Sequence, residues 1–288
     1  MHLRLLSVAS LLRLATPAAT ALLAVSSLAG CQVEGELDVE PMVRYEGQPR
    51  DVPADYKPGQ SVVVQSRMGD AKVVVGTSEQ LETTFEPFTM DSEKNEAKAT
   101  DEIKNMLNTE VIQDGGLIRV KVWRDDDASG NLGADVTVRL PADFNGGFEA
   151  QMDMGDVEAD FGGVEALTIT KVKTNGPGDI VLHRVTGDLD AETELGDIDV
   201  QFDKWALQNG VVSTGNGDVA LSLPAASNGK IQAFADGPDA LVSEPSPLPE
   251  TWAMEEAGAN SKSFTFGDGS GGLIDITTGL GDIVIGAN

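Results

Sequence analysis

Short segments in the second half of the chain alternate between apolar and polar residues. Residues 157–161 read Val-Glu-Ala-Asp-Phe and residues 198–202 read Ile-Asp-Val-Gln-Phe. A period of two is typical of a β-strand with one buried face and one solvated face. The same alternation precedes turns at residues 189–194 and 274–278. The pattern predicts a repeated unit of strand, turn and strand.

Each predicted turn carries the dipeptide Gly-Asp followed by Val or Ile. Glycine accommodates a positive φ without a Cβ clash, and aspartate can accept a hydrogen bond from the next backbone N–H. The intervals between successive turns are 23, 18, 21 and 64 residues, and the long one indicates two degenerate coils or an insertion. The dipeptides are Gly155-Asp156, Gly178-Asp179, Gly196-Asp197, Gly217-Asp218 and Gly281-Asp282.

These spacings predict an all-β fold, specifically a β-solenoid or β-helix-like stack with repeats of about 20 residues. An antiparallel β-sandwich or meander is the alternative, because two-residue Gly-Asp turns also suit hairpins. Thr193, Thr214 and Thr278 each precede a turn glycine by three residues. Alternation places their hydroxyls inward, where they can satisfy a backbone group at the turn.

The first half of the chain is less regular. Residues 61–76 resemble a leading coil, and residues 91–108 predict one short flanking helix, with Asp91 or Ser92 as its cap. Residues 117–123 and 134–140 alternate as strands, whereas the proline-bearing residues 237–260 are interpreted as a loop-like excursion.

Cys31 is the only cysteine and follows Leu28-Ala29-Gly30 at the end of an apolar run. This motif resembles the lipobox of bacterial lipoproteins. The resemblance implies that residues 1–30 are a signal peptide that is cleaved off and that Cys31 carries lipid such as palmitate. The run is shorter than the roughly 20 residues that a membrane span needs. An ordinary secretory signal with a chance cysteine is the alternative.

Residues 31–58 are acidic and contain several prolines, which predicts a tether between the membrane and a β-strand-repeat domain at 59–288. A stretch lying along the domain is the alternative. Gln32 is not the aspartate that retains lipoproteins at the inner membrane in well-studied envelopes, so the outer membrane is the expected location.

Charge narrows the range of partners. After removal of the predicted signal peptide, which contains Arg4 and Arg13, the chain has 18 basic and 47 acidic residues and a net charge of −29. Such a chain repels nucleic acid and anionic lipid, so membrane attachment depends on the lipid at Cys31. One cysteine excludes an internal disulfide. An envelope protein or a polysaccharide remains as partner, although the sequence identifies neither.

Candidate catalytic groups are sparse, and we expect no enzyme. His183 alone cannot form a histidine-based metal cage, and we interpret it as a surface residue on a strand. A carboxylate pair at Asp153 and Asp156, or among Asp188, Asp190 and Asp197, would suit a polysaccharide-active enzyme. Such an enzyme would also need a basic residue to abstract or neutralise a proton, and Arg184 and Lys204 are the only evident candidates.

Calcium is a third possibility, although no cofactor is expected. Stacked aspartates would offer hard oxygen ligands, with Asp125, Asp126 and Asp127 as a second cluster. We favour the interpretation that each aspartate faces water and binds its own turn. The weak metal candidates are Asp156, Asp179, Asp197 and Asp218.

Taken in order, the motifs resemble the putative-adhesin family of β-strand-repeat envelope proteins, over roughly residues 59–288. The features that carry the resemblance are Gly69-Asp70, residues 115–120, the segment Val138-Arg139-Leu140-Pro141, the repeated Gly-Asp turns and the closing residues 277–283. The resemblance implies a β-solenoid-like domain and adhesion, and it brings no catalytic residues. The resulting hypothesis is a lipid-anchored, non-enzymatic envelope protein with an acidic β-repeat surface for adhesion, scaffolding or binding.

Overall fold

The computed structural model describes residues 42–91, 95–126, 128, 131–164, 167–203 and 209–288. Within these ranges the chain forms twenty-two strands and one helix, which confirms the all-β prediction. The predicted signal peptide, Cys31 and residues 32–41 of the predicted tether lie outside the described residues.

The strands are numbered in chain order. The first eleven are β1 (Val43–Glu46), β2 (Arg50–Ala54), β3 (Ser61–Ser66), β4 (Ala71–Val75), β5 (Leu81–Asp91), β6 (Leu107–Asp114), β7 (Leu117–Arg124), β8 (Leu132–Leu140), β9 (Phe148–Met152), β10 (Val157–Asp160) and β11 (Ile169–Pro177). The others are β12 (Ile180–Val185), β13 (Asp188–Leu195), β14 (Ile198–Phe202), β15 (Asn209–Asn216), β16 (Val219–Leu223), β17 (Gly229–Ala235), β18 (Val242–Ser243), β19 (Trp252–Ala257), β20 (Ser261–Phe266), β21 (Leu273–Leu280) and β22 (Ile283–Ala287). The helix, α1 (Glu96–Met106), lies between β5 and β6.

Two mixed sheets contain eleven strands each. Sheet A has the order β1-β5-β8-β4-β10-β12-β14-β16-β22-β18, with β2 also pairing with β5. Sheet B has the order β19-β20-β17-β21-β15-β13-β11-β9-β3-β7-β6. Pairing is parallel from β8 to β18 in sheet A. It is also parallel from β7 to β17 in sheet B, and the antiparallel pairs lie outside these two runs.

Each Gly-Asp turn, called a corner below, joins a strand of sheet B to the following strand of sheet A. The pair formed by two such strands is called a rung. Two sheets with a shared core are a feature of the sandwich alternative. The corners, however, join strands of different sheets and not hairpin partners, and equivalent strands of successive rungs pair in parallel.

Apolar side chains from both sheets form a single buried cluster. The parallel register aligns equivalent positions, so each rung buries its aliphatic side chains beside those of its neighbours. Each fully buried Val, Leu or Ile contributes about 1.5–3 kcal/mol relative to exposure. One such row in sheet A is Val157, Ile180, Ile198, Val219 and Ile283, and one in sheet B is Ala150, Val172, Ala191, Val212 and Ile276.

Spatial order departs from chain order twice. Strands β21 and β22 lie between β15/β16 and β17/β18, so the long interval before the last corner contains one further rung. The hairpin β19–β20 then covers the outer edge of β17. Similarly, β3 and β4 lie between β7/β8 and β9/β10. The segment 237–260, predicted to be a loop-like excursion, therefore contains the short strand β18, the strand β19 and the turn that joins β19 to β20.

The antiparallel end of sheet A combines β5 with two strands from the segment before residue 59. Strands β1 and β2 belong to the predicted tether, and both pair with β5. This pairing agrees with the alternative interpretation, in which the segment lies along the domain. Helix α1 packs against β5 and β1, with Ala99 buried. Its N-cap is Asn95, whose side chain accepts a hydrogen bond from Lys98 N, so the predicted cap at Asp91 or Ser92 is wrong. Among the described residues, no helix is long and apolar enough to cross a bilayer.

Candidate functional site

The aspartates of successive corners lie in one file. Each carboxylate accepts a hydrogen bond from the backbone N–H of the aspartate in the next rung, instead of from its own turn. The N···Oδ1 distances are 3.0 Å for Asp156 to Asp70, 2.8 Å for Asp179 to Asp156, 2.8 Å for Asp197 to Asp179, 2.9 Å for Asp218 to Asp197 and 2.8 Å for Asp282 to Asp218. The expectation that each aspartate binds its own turn is therefore wrong.

The file continues beyond the predicted corners. Asp70 N donates to Asp135 Oδ1 at 3.0 Å, and Arg44 Nη2 lies 2.5 Å from Asp135 Oδ2. At the other end, Leu241 N donates to Asp282 Oδ1 at 2.9 Å. The name aspartate ladder is used below for Asp135, Asp70, Asp156, Asp179, Asp197, Asp218 and Asp282.

The glycines form a second file beside the ladder because neighbouring corners approach too closely for any side chain. Gly155 has φ +127°, and a Cβ there would lie 2.1 Å from the carbonyl oxygen of Gly69. A Cβ at Gly196 would lie 2.2 Å from the carbonyl oxygen of Gly178. Glycine is thus required by the stacking of rungs as well as by the turn itself.

Threonine hydroxyls bond backbone carbonyls on the inner side of three corners, as predicted. Thr193 Oγ1 donates to Gly178 O at 3.0 Å, and Thr214 Oγ1 donates to Gly196 O at 2.8 Å. Thr278 makes the equivalent bond to Gly217 O at 2.8 Å. All three threonines are buried, so these bonds satisfy carbonyl groups that water reaches poorly.

The pKa of one ladder carboxyl group, that of Asp70, is raised above its ordinary value. Partial burial of the carboxyl group raises the pKa of Asp70, and the charges of Asp135 and Asp156 raise it further. The hydrogen bond from Asp156 N and the guanidinium of Arg44 act in the opposite direction but do not cancel these effects. Arg44 Cζ also lies 3.8 Å from the centroid of the Phe88 ring, and this contact keeps the guanidinium charge at this end of the ladder.

The ladder does not gather its carboxylates around a single point. Within the described ranges, no group of three or more His, Cys, Asp or Glu side chains is arranged to hold a metal ion. In the second predicted cluster, Asp125 Oδ1 accepts from Asn108 Nδ2 at 3.0 Å, while Asp127 lies outside the described residues. The four metal candidates among the corner aspartates instead serve as hydrogen-bond acceptors between rungs.

The carboxylates proposed as catalytic groups have other partners or lie at opposite ends of a strand. Asp188 begins β13 and Asp197 follows its end, so about 23 Å of strand separates them. Asp190 lies 3.9 Å from Lys171 Nζ on the outer face of sheet B. Asp153 Oδ2 lies 3.6 Å from Arg67 Nε, whereas Asp156 belongs to the ladder.

His183 and Arg184 occupy the outer side of β12 at a bulge. His183 Nδ1 lies 3.1 Å from Gln201 Oε1, which agrees with a surface residue on a strand. Arg184 adopts φ +57° and forms two hydrogen bonds to the carboxylate of Asp160, one of them 2.7 Å from Nε to Oδ1. Partial burial raises the pKa of Asp160, but the hydrogen bonds from Arg184 and Gly162 outweigh it, so the pKa is lowered. Lys204 lies outside the described residues.

Comparisons with known proteins find similarity to two solved structures. No family model and no curated protein matches the chain. A putative cell adhesion protein from Clostridium sporogenes ATCC 15579 is 12% identical with a TM-score of 0.48, covering 84% of this chain and 100% of its own. A putative adhesin from Bacteroides fragilis NCTC 9343 is 11% identical with a TM-score of 0.35, covering 83% and 97%.

Sequence reasoning missed two residues of this site, Arg44 and Asp135. Asp135 lacks a directly preceding glycine, but it stands before the alternating Val136, Val138 and Leu140, as corner aspartates stand before their strands. That signal could have identified it. Nothing near Arg44 in the sequence indicates its role, because its partner is 91 positions away.

Proposed function

We propose that this protein is a lipid-anchored, non-enzymatic protein of the cell envelope, and that its acidic β-repeat surface serves adhesion, scaffolding or binding. The lipobox-like Leu28-Ala29-Gly30-Cys31 supports the anchor, because the cysteine of a lipobox is the residue whose thiol receives the lipid. Gln32 supports the outer membrane as the destination.

We further interpret the two parallel runs as a flattened β-solenoid. Each rung supplies one strand to each sheet, and the corners at Asp156, Asp179, Asp197 and Asp218 follow one another at intervals of 18–23 residues. The antiparallel strands at the ends then act as caps, which such stacks need because their terminal rungs would otherwise expose apolar surface and strand edges.

The ladder is the observation that carries the non-enzymatic interpretation. The most regular carboxylates of the chain, which would be the first candidates for catalysis or calcium binding, accept backbone hydrogen bonds between rungs. Their regularity therefore has a structural explanation. The outward-facing side chains of the two sheets remain as the surface available to a partner.

Metabolic labelling with a palmitate analogue tests the anchor. The wild-type protein should incorporate label and sediment with membranes, whereas Cys31→Ser should lose the label and shift toward soluble fractions. Ser27→Ala, a small change in the same signal, serves as the matched control and should label normally. Unlabelled wild-type protein, or equal labelling of the Cys31→Ser variant, would contradict the proposal. Density-gradient separation of the labelled membranes tests the outer-membrane assignment.

A calcium titration separates the binding proposal from its calcium-dependent alternative. Extracellular calcium modules bind with dissociation constants of about 0.1–1 mM. Because the ladder carboxylates already accept amide hydrogen bonds, we expect neither heat in calorimetry nor a higher melting temperature at millimolar Ca²⁺. A saturable heat that is lost in Asp197→Asn would instead favour the calcium module.

A further inference from the structure

A cleft of about 490 Å³ opens on the outward face of sheet B. Its walls come from the hairpin β6–β7, from β3 and β9 and from the end of β11, which are neighbours in the sheet although β3 precedes the hairpin and β9 and β11 follow it in the chain. Parallel and antiparallel register together arrange the lining side chains in two rows. One row is Glu110, Lys121, Gln65 and Gln151, and the other is Trp123, Arg67, Asp153 and Asn175, with Ser66 and Val122 beneath them.

Trp123 stands on this face because of strand alternation. Ile118, Val120 and Val122 point into the core, so Lys121 and Trp123 point outward. Trp123 is 37% exposed, whereas Trp252 is 5% exposed within an aromatic cluster. An indole placed this way offers a flat apolar surface beside water, and such half-exposed tryptophans are typical of binding sites.

The polar side chains around Trp123 are held in place by one another. Gln65 Nε2 donates to Gln151 Oε1 at 2.9 Å, and Asn175 Nδ2 donates to Asp153 Oδ1 at 3.3 Å. Arg67 Nε lies 3.6 Å from Asp153 Oδ2. Each amide and carboxylate has more donor or acceptor positions than these contacts use. The cleft thus presents pre-arranged hydrogen-bonding groups around an aromatic surface.

Charge in the cleft is balanced, unlike that of the chain. Arg67 and Lys121 face Glu110 and Asp153, whereas the whole chain carries a net charge of −27. A balanced set does not select an ion of either sign. It instead suits a neutral ligand with many hydroxyl groups, and the volume lies within the range of about 300–1,000 Å³ that is typical of small-molecule sites.

We propose that this cleft binds an oligosaccharide of pyranose units, an inference that rests on the proposed binding function and specifies its ligand. The indole of Trp123 stacks on the C–H face of one sugar ring, because the π-face is electron-rich and the ring C–H groups are weakly positive. Gln65, Gln151, Asn175 and Asp153 hydrogen-bond the hydroxyl groups. The strand spacing of about 4.8 Å is comparable to the length of one sugar ring, so successive strands can contact successive units.

Calorimetric titration of the purified lipoprotein, kept in a detergent without a sugar headgroup, tests the proposal. The probes are cellohexaose, hexa-N-acetylchitohexaose and maltohexaose as neutral hexasaccharides, and hexagalacturonate as an anionic one. We expect at least one neutral probe to bind, and Trp123→Ala to weaken it about tenfold or more. Trp123→Phe should retain most of the affinity, and Asn175→Ala should lose about threefold to tenfold.

Phe234→Ala is the matched control. Phe234 is 45% exposed on the same face of sheet B but lies on β17, away from the cleft, so its removal should leave affinity unchanged. Melting curves verify that each variant is folded, and Trp123→Phe provides the test if Trp123→Ala is not. The proposal is overturned if no neutral probe binds, if folded Trp123→Ala binds as tightly as wild type, or if only hexagalacturonate binds. If one of these results is obtained while palmitate labelling at Cys31 is normal, the oligosaccharide proposal fails and the proposed lipid anchor is unaffected.

Discussion

Replacing Asp197 by alanine and by asparagine tests whether the ladder acts through hydrogen bonds between rungs. Asp197 Oδ1 accepts from Asp218 N at 2.9 Å, while Asp197 N donates to Asp179 Oδ1 at 2.8 Å. Both substitutions remove the charge and keep the backbone donor. Only asparagine keeps a side-chain oxygen that Asp218 N can reach, so the two variants differ mainly in the acceptor.

Two opposing terms make this comparison more informative than either variant alone. A hydrogen bond to a charged group contributes about 1.5–3 kcal/mol, and a neutral one about 0.5–1.5 kcal/mol. Against this, two unit charges at a strand spacing of about 4.8 Å repel by about 0.9 kcal/mol in water and about 3.5 kcal/mol at an effective dielectric constant of 20. Asp197 has a carboxylate neighbour on each side, at Asp179 and Asp218, so repulsion and hydrogen bonding are of similar size in the wild type.

We therefore expect Asp197→Asn to be at least as stable as the wild type and more stable than Asp197→Ala by about 1 kcal/mol. In a domain of this size, that difference corresponds to about 2–4 °C in melting temperature. Urea and thermal unfolding measure it. Added salt should stabilise the wild type more than Asp197→Asn, because screening weakens the repulsion that only the wild type retains.

Asp199 provides the control pair. It is exposed on the outer face of sheet A, two positions from Asp197. Asp199→Asn and Asp199→Ala should differ by less than about 0.5 kcal/mol, as surface substitutions usually do. Equal stability of the two Asp197 variants, or a more stable alanine variant, would refute the role of the carboxylate as an acceptor between rungs.

Three further perturbations follow from the corners and the bulge. Gly196→Ala should lose about 1–3 kcal/mol, because its Cβ would lie 2.2 Å from a carbonyl oxygen of the neighbouring corner, whereas Gly116→Ala, with no atom within 4 Å, should change stability little in the same urea series. The folded state raises the pKa of Asp70, so ionisation of Asp70 opposes folding as the pH rises through that pKa. Asp70→Asn should therefore be more stable than the wild type at pH 7. This difference in stability should disappear on acidification. The folded state lowers the pKa of Asp160, so the ion pair of Asp160 with Arg184 stabilises the fold above the ordinary carboxyl pKa. This stabilisation is lost as the pH falls through the lowered pKa. Melting curves recorded from neutral to acidic pH should therefore show a smaller decrease in melting temperature for Arg184→Ala than for the wild type.

The corners could be predicted because they depend on local sequence. Alternation fixed which side chains point inward, and Thr193, Thr214 and Thr278 bond corner carbonyls as expected. The direction of the aspartate bonds could not be predicted in the same way. A carboxylate at Asp197 can reach an N–H in its own turn or in the next rung, and only the stacking of Gly217 against Gly196 decides between them.

The order of rungs also escaped prediction, for a reason of chain connectivity. The strand β21 pairs with β15 at a separation of 64 residues and with β17 on its other side. Apolar alternation in β15, β17 and β21 is the same, so pattern alone allows any of them to be neighbours.

The predicted position of the helix N-cap differed from the observed one because Asn95 and Asp91 are both residue types that cap helices.

In-register parallel pairing has different consequences for the three kinds of rows that it creates. Inward rows such as Ile180 and Ile198 must stay apolar, and the corner rows are restricted to glycine and aspartate by close approach and by hydrogen bonding. Outward rows have no such restriction, so they are the positions where side chains can be chosen for a partner. Trp123, Gln151 and Asn175 belong to outward rows on three strands, and no repeated motif connects them. The most regular part of this sequence therefore builds the scaffold, and any binding activity has to be sought where the repeat is irregular.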